Sequence, residues 1–314
     1  MKKWFSKKIG RYLVYALLGI LLITLFIISD AYNRKQQFVF LTFPKNYSIT
    51  SQSTSNINLM LYAREKRTMY FDSSCISRTT LVDNITKDFY QLQDVEITCN
   101  EEIINHQDQR YYGYDFKAVF PFKVEELLLI EDAYLEFTYH NGEVLTMRVG
   151  SFAFDEIKIN EEVRVTYLKG IPATIGNYVS LGSIIIEITN DSDQVINLNN
   201  LQFISPFIKP NYDYVMEIPK DIARGEIHLE DVLSDYDFKK TSFKSHFDII
   251  VEAGSTKHLL IPLVYLKNTF INQVAFKLNY YVNDGVSTIT SPSFCYFKTK
   301  REITPPEQLI YVRN

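Results

Sequence analysis

Between Arg11 and Asp30 the chain runs for 18 residues, Tyr12–Ser29, without a charged side chain. As a helix this run spans about 27 Å at 1.5 Å per residue, close to the hydrocarbon thickness of a bilayer. No polar face recurs at helical spacing, so it does not read as a surface helix packed on a core. Lys2, Lys3, Lys7, Lys8 and Arg11 precede it with no acid among them, and Trp4 and Tyr12 are placed to sit at the near interface. Basic flanks stay on the cytoplasmic side. This predicts a cytoplasmic segment at residues 1–11, a single transmembrane helix at 12–29 in a cell membrane, and an extracytoplasmic body. Ser29-Asp30-Ala31 also fits a cleaved leader, but the run exceeds the usual 7–15 residue leader core, which favours retention as a signal-anchor.

The charge divides at the same place. The first 35 residues hold seven Lys/Arg against Asp30 alone, whereas the rest of the 314-residue chain holds 26 Lys/Arg against 36 Asp/Glu. An acidic body without a basic stripe excludes nucleic acid as partner, since phosphate binding needs a dense Lys/Arg surface. The Lys-, Ile- and Asn-rich composition looks bacterial.

Beyond residue 37 nearly every apolar segment reads as a strand. Ile57–Tyr62, Tyr134–Tyr139, Val144–Val149, Ile184–Thr189 and Leu259–Leu266 are rich in β-branched and aromatic residues between turn formers. Only His228–Ser234 and Lys123–Leu129 offer short helical patterns. The expected fold class is all-β, with sandwich architecture. Three landmarks repeat at near-constant offset: Pro121 and Pro262, Gly142 and Gly285, Phe152 and Phe294. A period of that size fits a domain rather than a solenoid unit. The expected division is a first β-sandwich at 37–156, a second at 160–300 with an insertion at 206–247, and a C-terminal tail at 301–314. The tail, with Pro305-Pro306, is a poor strand. Ser183–Phe203 resembles the hairpin found early in immunoglobulin-like sandwiches of bacterial surface proteins, which implies two tandem domains of that architecture.

One hairpin register follows from burial. Leu135, Phe137 and Tyr139 share one strand face, and Leu145, Met147 and Val149 share a face of the next. A two-residue Asn141-Gly142 turn would mismatch those faces. A three-residue loop, His140-Asn141-Gly142, pairs Phe137 with Leu145 and leaves Gly142 in the left-handed position.

Residues that could carry chemistry are sparse. Cys75 and Cys99 would close a 25-residue loop and are expected to form a disulfide in an oxidising compartment, while Cys295 reads as a buried apolar residue. The five histidines lack zinc-site spacing and read as turn or surface residues; neither metal nor cofactor is implied. No phosphate loop, nucleophile elbow or Ser-x-x-Lys pair is present, so the chain reads as non-enzymatic. Two aromatic clusters remain. Tyr111, Tyr112 and Tyr114 in one, and Tyr212 and Tyr214 beside Asp231, Asp235 and Asp237 in the other, are the candidate binding surface. The competing reading is that half of each cluster faces the core. The sequence therefore points to a membrane-anchored binding or assembly subunit whose partner is another envelope or membrane protein. A module holding cell-wall or surface polysaccharide through exposed tyrosines is the alternative. The insertion is expected to carry specificity and to be replaceable without loss of stability.

Overall fold

The computed structural model describes residues 15, 17–29, 39–106, 109–176, 178–226, 233, 236–283, 285–296 and 308–311. Residues 17–29 form a helix, α1. Its leucines, isoleucines and phenylalanine are exposed all round, none covered by the body. Among the described residues no helix is long and apolar enough to cross a membrane.

The first half carries β1 Val39–Thr42, β2 Lys45–Ser51, β3 Thr54–Ala63, β4 Ile76–Asp83, β5 Phe89–Gln91, β6 Gln93–His106, β7 Gln109–Lys123, β8 Leu128–Tyr139 and β9 Val144–Glu156. The second half carries β10 Val163–Ile175, β11 Tyr178–Asn190, β12 Ile196–Phe203, β13 Ile208–Pro210, β14 Met216–Glu217, the short helix α2 Lys220–Arg224, β15 Ile249–Val251, β16 Ser255–Tyr265, β17 Gln273–Val274, β18 Phe276–Val282, β19 Gly285–Thr290 and β20 Phe294–Cys295; β21 Gln308–Tyr311 follows. In the first half the sheet β21-β1-β3-β7-β6 is joined by a second sheet, β2-β9-β8-β4-β5. In the second half the two larger sheets are β10-β11-β16-β13, with β14 also on β16, and β15-β12-β18-β19, and β17 pairs with β20. In the first half β3 and β7 share one sheet while β4, β8 and β9 share the other, and in the second half β11 and β16 share one while β12, β18 and β19 share the other, which is the order of an immunoglobulin-type sandwich. Pro121 on β7 corresponds to Pro262 on β16, and the β8–β9 turn at Gly142 to the β18–β19 turn at Gly285.

The β8–β9 register is Leu135 with Met147 and Phe137 with Leu145, as burial demanded. Gly142 has φ +85°, its N–H donates to the Tyr139 carbonyl at 3.0 Å, and the Asn141 side chain accepts from the Glu143 N–H. The packing of two apolar faces outweighs the generic two-residue preference of Asn-Gly. Ser183–Phe203, by contrast, is no hairpin. β11 pairs with β10 and β16, and β12 with β15 and β18, so the turn between them carries the chain from one sheet to the other. Residues Lys123–Leu129 contain no helix, His228–Ser234 lies outside the described residues except Leu233, and α2 follows Pro219, whose fixed φ suits the entry to a helix. The tail also differs from expectation. Its residues 308–311 pair antiparallel with β1, adding a strand to the edge of the first sheet.

Two large apolar cores change over across the polar stretch 157–162. One is built from Phe40 to Phe154, the other from Val163 to Ile289. Between them lies a buried polar seam. Ser151 and Ser205, one from each half, both donate to the Asn46 side-chain oxygen at 3.2 Å. The Ala275 N–H donates to the Ser48 hydroxyl at 2.9 Å, and Lys277 pairs with the buried Asp155 carboxylate at 2.6 Å. Directional bonds of this kind set one docking geometry, since each donor or acceptor left unmatched at a buried seam would be costly.

Candidate functional site

The insertion is a packed structure rather than a loose loop. Outer-face residues Ile171 and Ile185 on β10 and β11, with Leu260 on β16, are covered by Ile218, Ala223 and Leu233. Tyr236 stands edge-on to both Tyr214 and Phe238, at 5.3 and 4.9 Å, and its hydroxyl donates to the Leu263 carbonyl. Apolar cover on the outer face of a sheet is core, so the expectation of a dispensable insertion is corrected. Replacing residues 211–240 by a Gly/Ser linker should lower the unfolding midpoint by roughly 15 °C, given about 2 kcal/mol for each of three uncovered Ile/Leu side chains. Differential scanning calorimetry checks this, and an unchanged midpoint would show the cover to be inert.

At the root of the insertion, where it meets the first half, a cleft of about 590 Å³ opens. Its floor is Leu201, Phe203 and Ile208, and Leu127 and Leu129 of the first half close one side. β15 pairs with β12 from Ile196 to Leu198 and no farther, and later residues of β12 border the cleft. The opposite wall is the loop 241–245, and Lys209 and Lys244 are the charged residues of the lining. A carboxylate fastens that loop. Asp213 accepts from the Phe243 N–H at 2.8 Å and from the Lys244 N–H at 3.1 Å, while its own N–H donates to Ser242 at 3.2 Å. The Phe243 hydrogen bond foremost, with that from Lys244, holds the Asp213 carboxyl below the usual range against a smaller opposing effect of burial. Phe243 itself is 88% exposed at the loop tip, with the Lys240 ammonium 5.9 Å from its ring.

The tyrosines of the candidate surface fall mostly inward. Tyr111 packs with Leu41 and Tyr62, and Tyr114 lies in the first core against Phe71 at 4.8 Å with its hydroxyl donating to the Glu65 carbonyl. Tyr112 is half-buried against the same core. Strand β7 is covered on both faces at this point, which is why a dense aromatic run there serves packing. Tyr212 is half-buried over Phe247, its hydroxyl donates to the Leu201 carbonyl, and burial raises its pKa. Tyr214 keeps 38% exposure. Asp237 caps the Lys239 N–H at 2.9 Å, and Asp231 and Asp235 lie outside the described residues. The cleft therefore takes up Tyr212 from the proposed surface and adds Lys209 and Lys244, with Phe243 exposed at the tip of the adjoining loop. Phe243 had a sequence signal, since it stands alone among Lys, Thr and Ser with no apolar partner at strand spacing.

Cys75 and Cys99 are not bridged. Cys75 ends a 3₁₀ turn and adjoins Tyr139, whereas Cys99 on β6 lies opposite Tyr114, so each thiol packs against its own tyrosine in place of the expected disulfide. Cys295 is exposed on β20, where sequence suggested burial. His258, expected at a surface, is buried on β16, with Nε2 2.6 Å from the Glu187 carboxylate of β11. Arg224 of α2 donates to that carboxylate at 2.7 Å and lies 3.8 Å over the Tyr167 ring, and Thr166 donates at 2.7 Å. Burial would push the Glu187 carboxyl up, but these three donors outweigh it and hold the group at about 2. The cluster fastens α2 to the sheet and lies outside the cleft lining. Among the described residues no group of three His, Cys, Asp or Glu is arranged to hold a metal ion.

No protein-family model and no curated protein sequence matches the chain. Solved structures similar to it include the D00-D0 domain of intimin, at 9% identity over 83% of this chain and 100% of that one, with a TM-score of 0.19. The Streptococcus agalactiae AgI/II polypeptide BspA C-terminal domain is 11% identical over 80% of this chain and 99% of that one, at 0.18. The CFA/I enterotoxigenic E. coli adhesin CfaE is 8% identical over 79% and 96%, at 0.20. Likenesses at this level carry no argument, and the fold class rests on the strand order itself.

Proposed function

We propose that the chain is a membrane-anchored, non-enzymatic binding or assembly subunit whose two sandwiches act as tandem extracytoplasmic domains and engage another envelope protein. The observation that carries the reading is the cleft at the junction of both halves and the insertion. Its apolar floor, lysine wall and fastened loop are the anatomy of a preorganised recognition site. The anchor is supported by the uncharged run Tyr12–Ser29 behind five basic residues and by α1, whose apolar side chains are exposed on every side. A helix apolar all round needs either a protein interior or lipid to cover it. The inward packing of Tyr111 and Tyr114 removes the row of exposed tyrosines that a polysaccharide platform would require.

Protease added outside intact cells, or to spheroplasts where an outer membrane exists, should degrade the body and spare only a short amino-terminal fragment. Full protection of residues 40–314 would overturn the topology. Crosslinking in the native membrane followed by mass spectrometry should then join the body to a second envelope protein; a chain that crosslinks to none would overturn the binding role.

A further inference from the structure

Resting on that reading, we infer that the junction cleft takes an extended acidic segment of its partner, with an apolar side chain seated in the floor and carboxylates against the lysine wall. The floor is dry enough to reward an apolar anchor. Phe203 and Ile208 are buried, and Leu129 is half-buried beside them from the other half. Among the described residues no carboxylate comes within ion-pair distance of Lys209 or Lys244, the Asp213 carboxylate attracting Lys244 only from farther off, although the chain as a whole carries more acid than base. Lys209 of β13 and Lys244 of the loop are exposed at the rim of this apolar surface, and a charge bordering a low-dielectric wall attracts a carboxylate more strongly than the same charge on an open face.

The charge has a direction. On the opposite side the nearest acids in sequence, Glu125 and Glu126, are exposed and precede Leu127 without lining the cleft. They repel the acidic edge of an occupant and turn it toward the lysine wall. The lysine wall is also preset. Asp213 holds two successive backbone N–H groups of the loop, so Lys244 and the exposed Phe243 are presented without ordering on arrival. A segment alternating acidic and apolar residues satisfies both sides at once, since an extended chain directs alternate side chains to opposite faces.

The test uses the full chain in a neutral detergent and two fluorescein-labelled octapeptides, one alternating Glu and Leu, the other alternating Lys and Leu, read by fluorescence anisotropy. The Glu/Leu peptide should bind at least about tenfold more tightly than the Lys/Leu peptide, and added salt should weaken it. The double variant Lys209→Glu/Lys244→Glu should reverse that preference while leaving the unfolding midpoint unchanged, and Phe243→Ser should weaken binding of the Glu/Leu peptide. Equal binding of the two peptides, or retention of the preference in the double variant, overturns the assignment. So does a lysine-dependent association with phosphatidylglycerol mixed micelles in the absence of peptide binding, which would make a lipid headgroup the occupant. Native-membrane crosslinks that persist in the double variant would sink this site while leaving the binding role standing. Loss of crosslinks in the unaltered chain would sink the role itself.

Discussion

Replacing Gly150 by alanine should cost about 3–5 kcal/mol and drop the unfolding midpoint by roughly 10 °C or more, the scale reserved for core defects. Gly150 has φ +117°, a region that residues with a Cβ rarely occupy. A Cβ built there would lie 2.0 Å from the Lys45 carbonyl oxygen and 2.5 Å from its nitrogen. The obstacle is backbone, so no rotamer change relieves it. Gly150 is also where β2 begins its parallel pairing with β9, next to the register shifts between β8 and β9. Displacing β2 would pull Asn46 and Ser48 from the seam between the halves. Gly142→Ala supplies the control. It shares a positive φ but has nothing within 4 Å, so it should cost only the local strain of about 1–2 kcal/mol. Chemical denaturation of the two variants side by side decides the matter; equal losses would mean that strain alone, and not the close approach of β2, governs Gly150.

Glu187→Ala should be the second large effect, about 3 kcal/mol, because it leaves the buried His258 and part of Arg224 facing an apolar gap. The cluster also makes stability depend on acid. Glu187 is held at about 2 in the folded chain, below the ordinary glutamate value of 4.5. Its contribution is therefore fully present above about pH 4.5 and is lost as the pH falls toward 2. Across that window the unaltered chain should lose stability more steeply than Glu187→Gln, which has no proton to gain there. Denaturation midpoints at a series of pH values read the difference directly, and parallel curves for the two chains would show that the Glu187 carboxylate is not preferentially ionised in the fold. Arg224→Ala should lose less, since the Arg224 side chain is far more exposed than His258 or Glu187, but should loosen α2 first.

The strand content, the alternation of β8 and β9 and even their three-residue turn were legible because each depends on side chains close in sequence. Long-range partners were not. The tail strand β21 is short and follows two prolines, and only the open edge of β1, some 270 residues earlier, makes it a strand. The failure at Ser183–Phe203 has the same origin, for two adjacent strands pair or cross to opposite sheets according to which other strands compete for their edges. The need for an outer cover is written in the sequence. Ile184-Ile185-Ile186 and Leu259–Val264 are continuous apolar runs, and a strand covered on one face only would alternate. Such runs required a cover on the outer face, and the insertion supplies it. Sequence by itself determined the all-β class and the local register, since these follow from the polarity and conformational preference of neighbouring residues. Tertiary structure alone decided the cleft, the cluster at Glu187 and the burial of Tyr111 and Tyr114. Each of these brings together groups separated by tens of residues, and the free energy that joins them belongs to the packed sheets rather than to any stretch of chain.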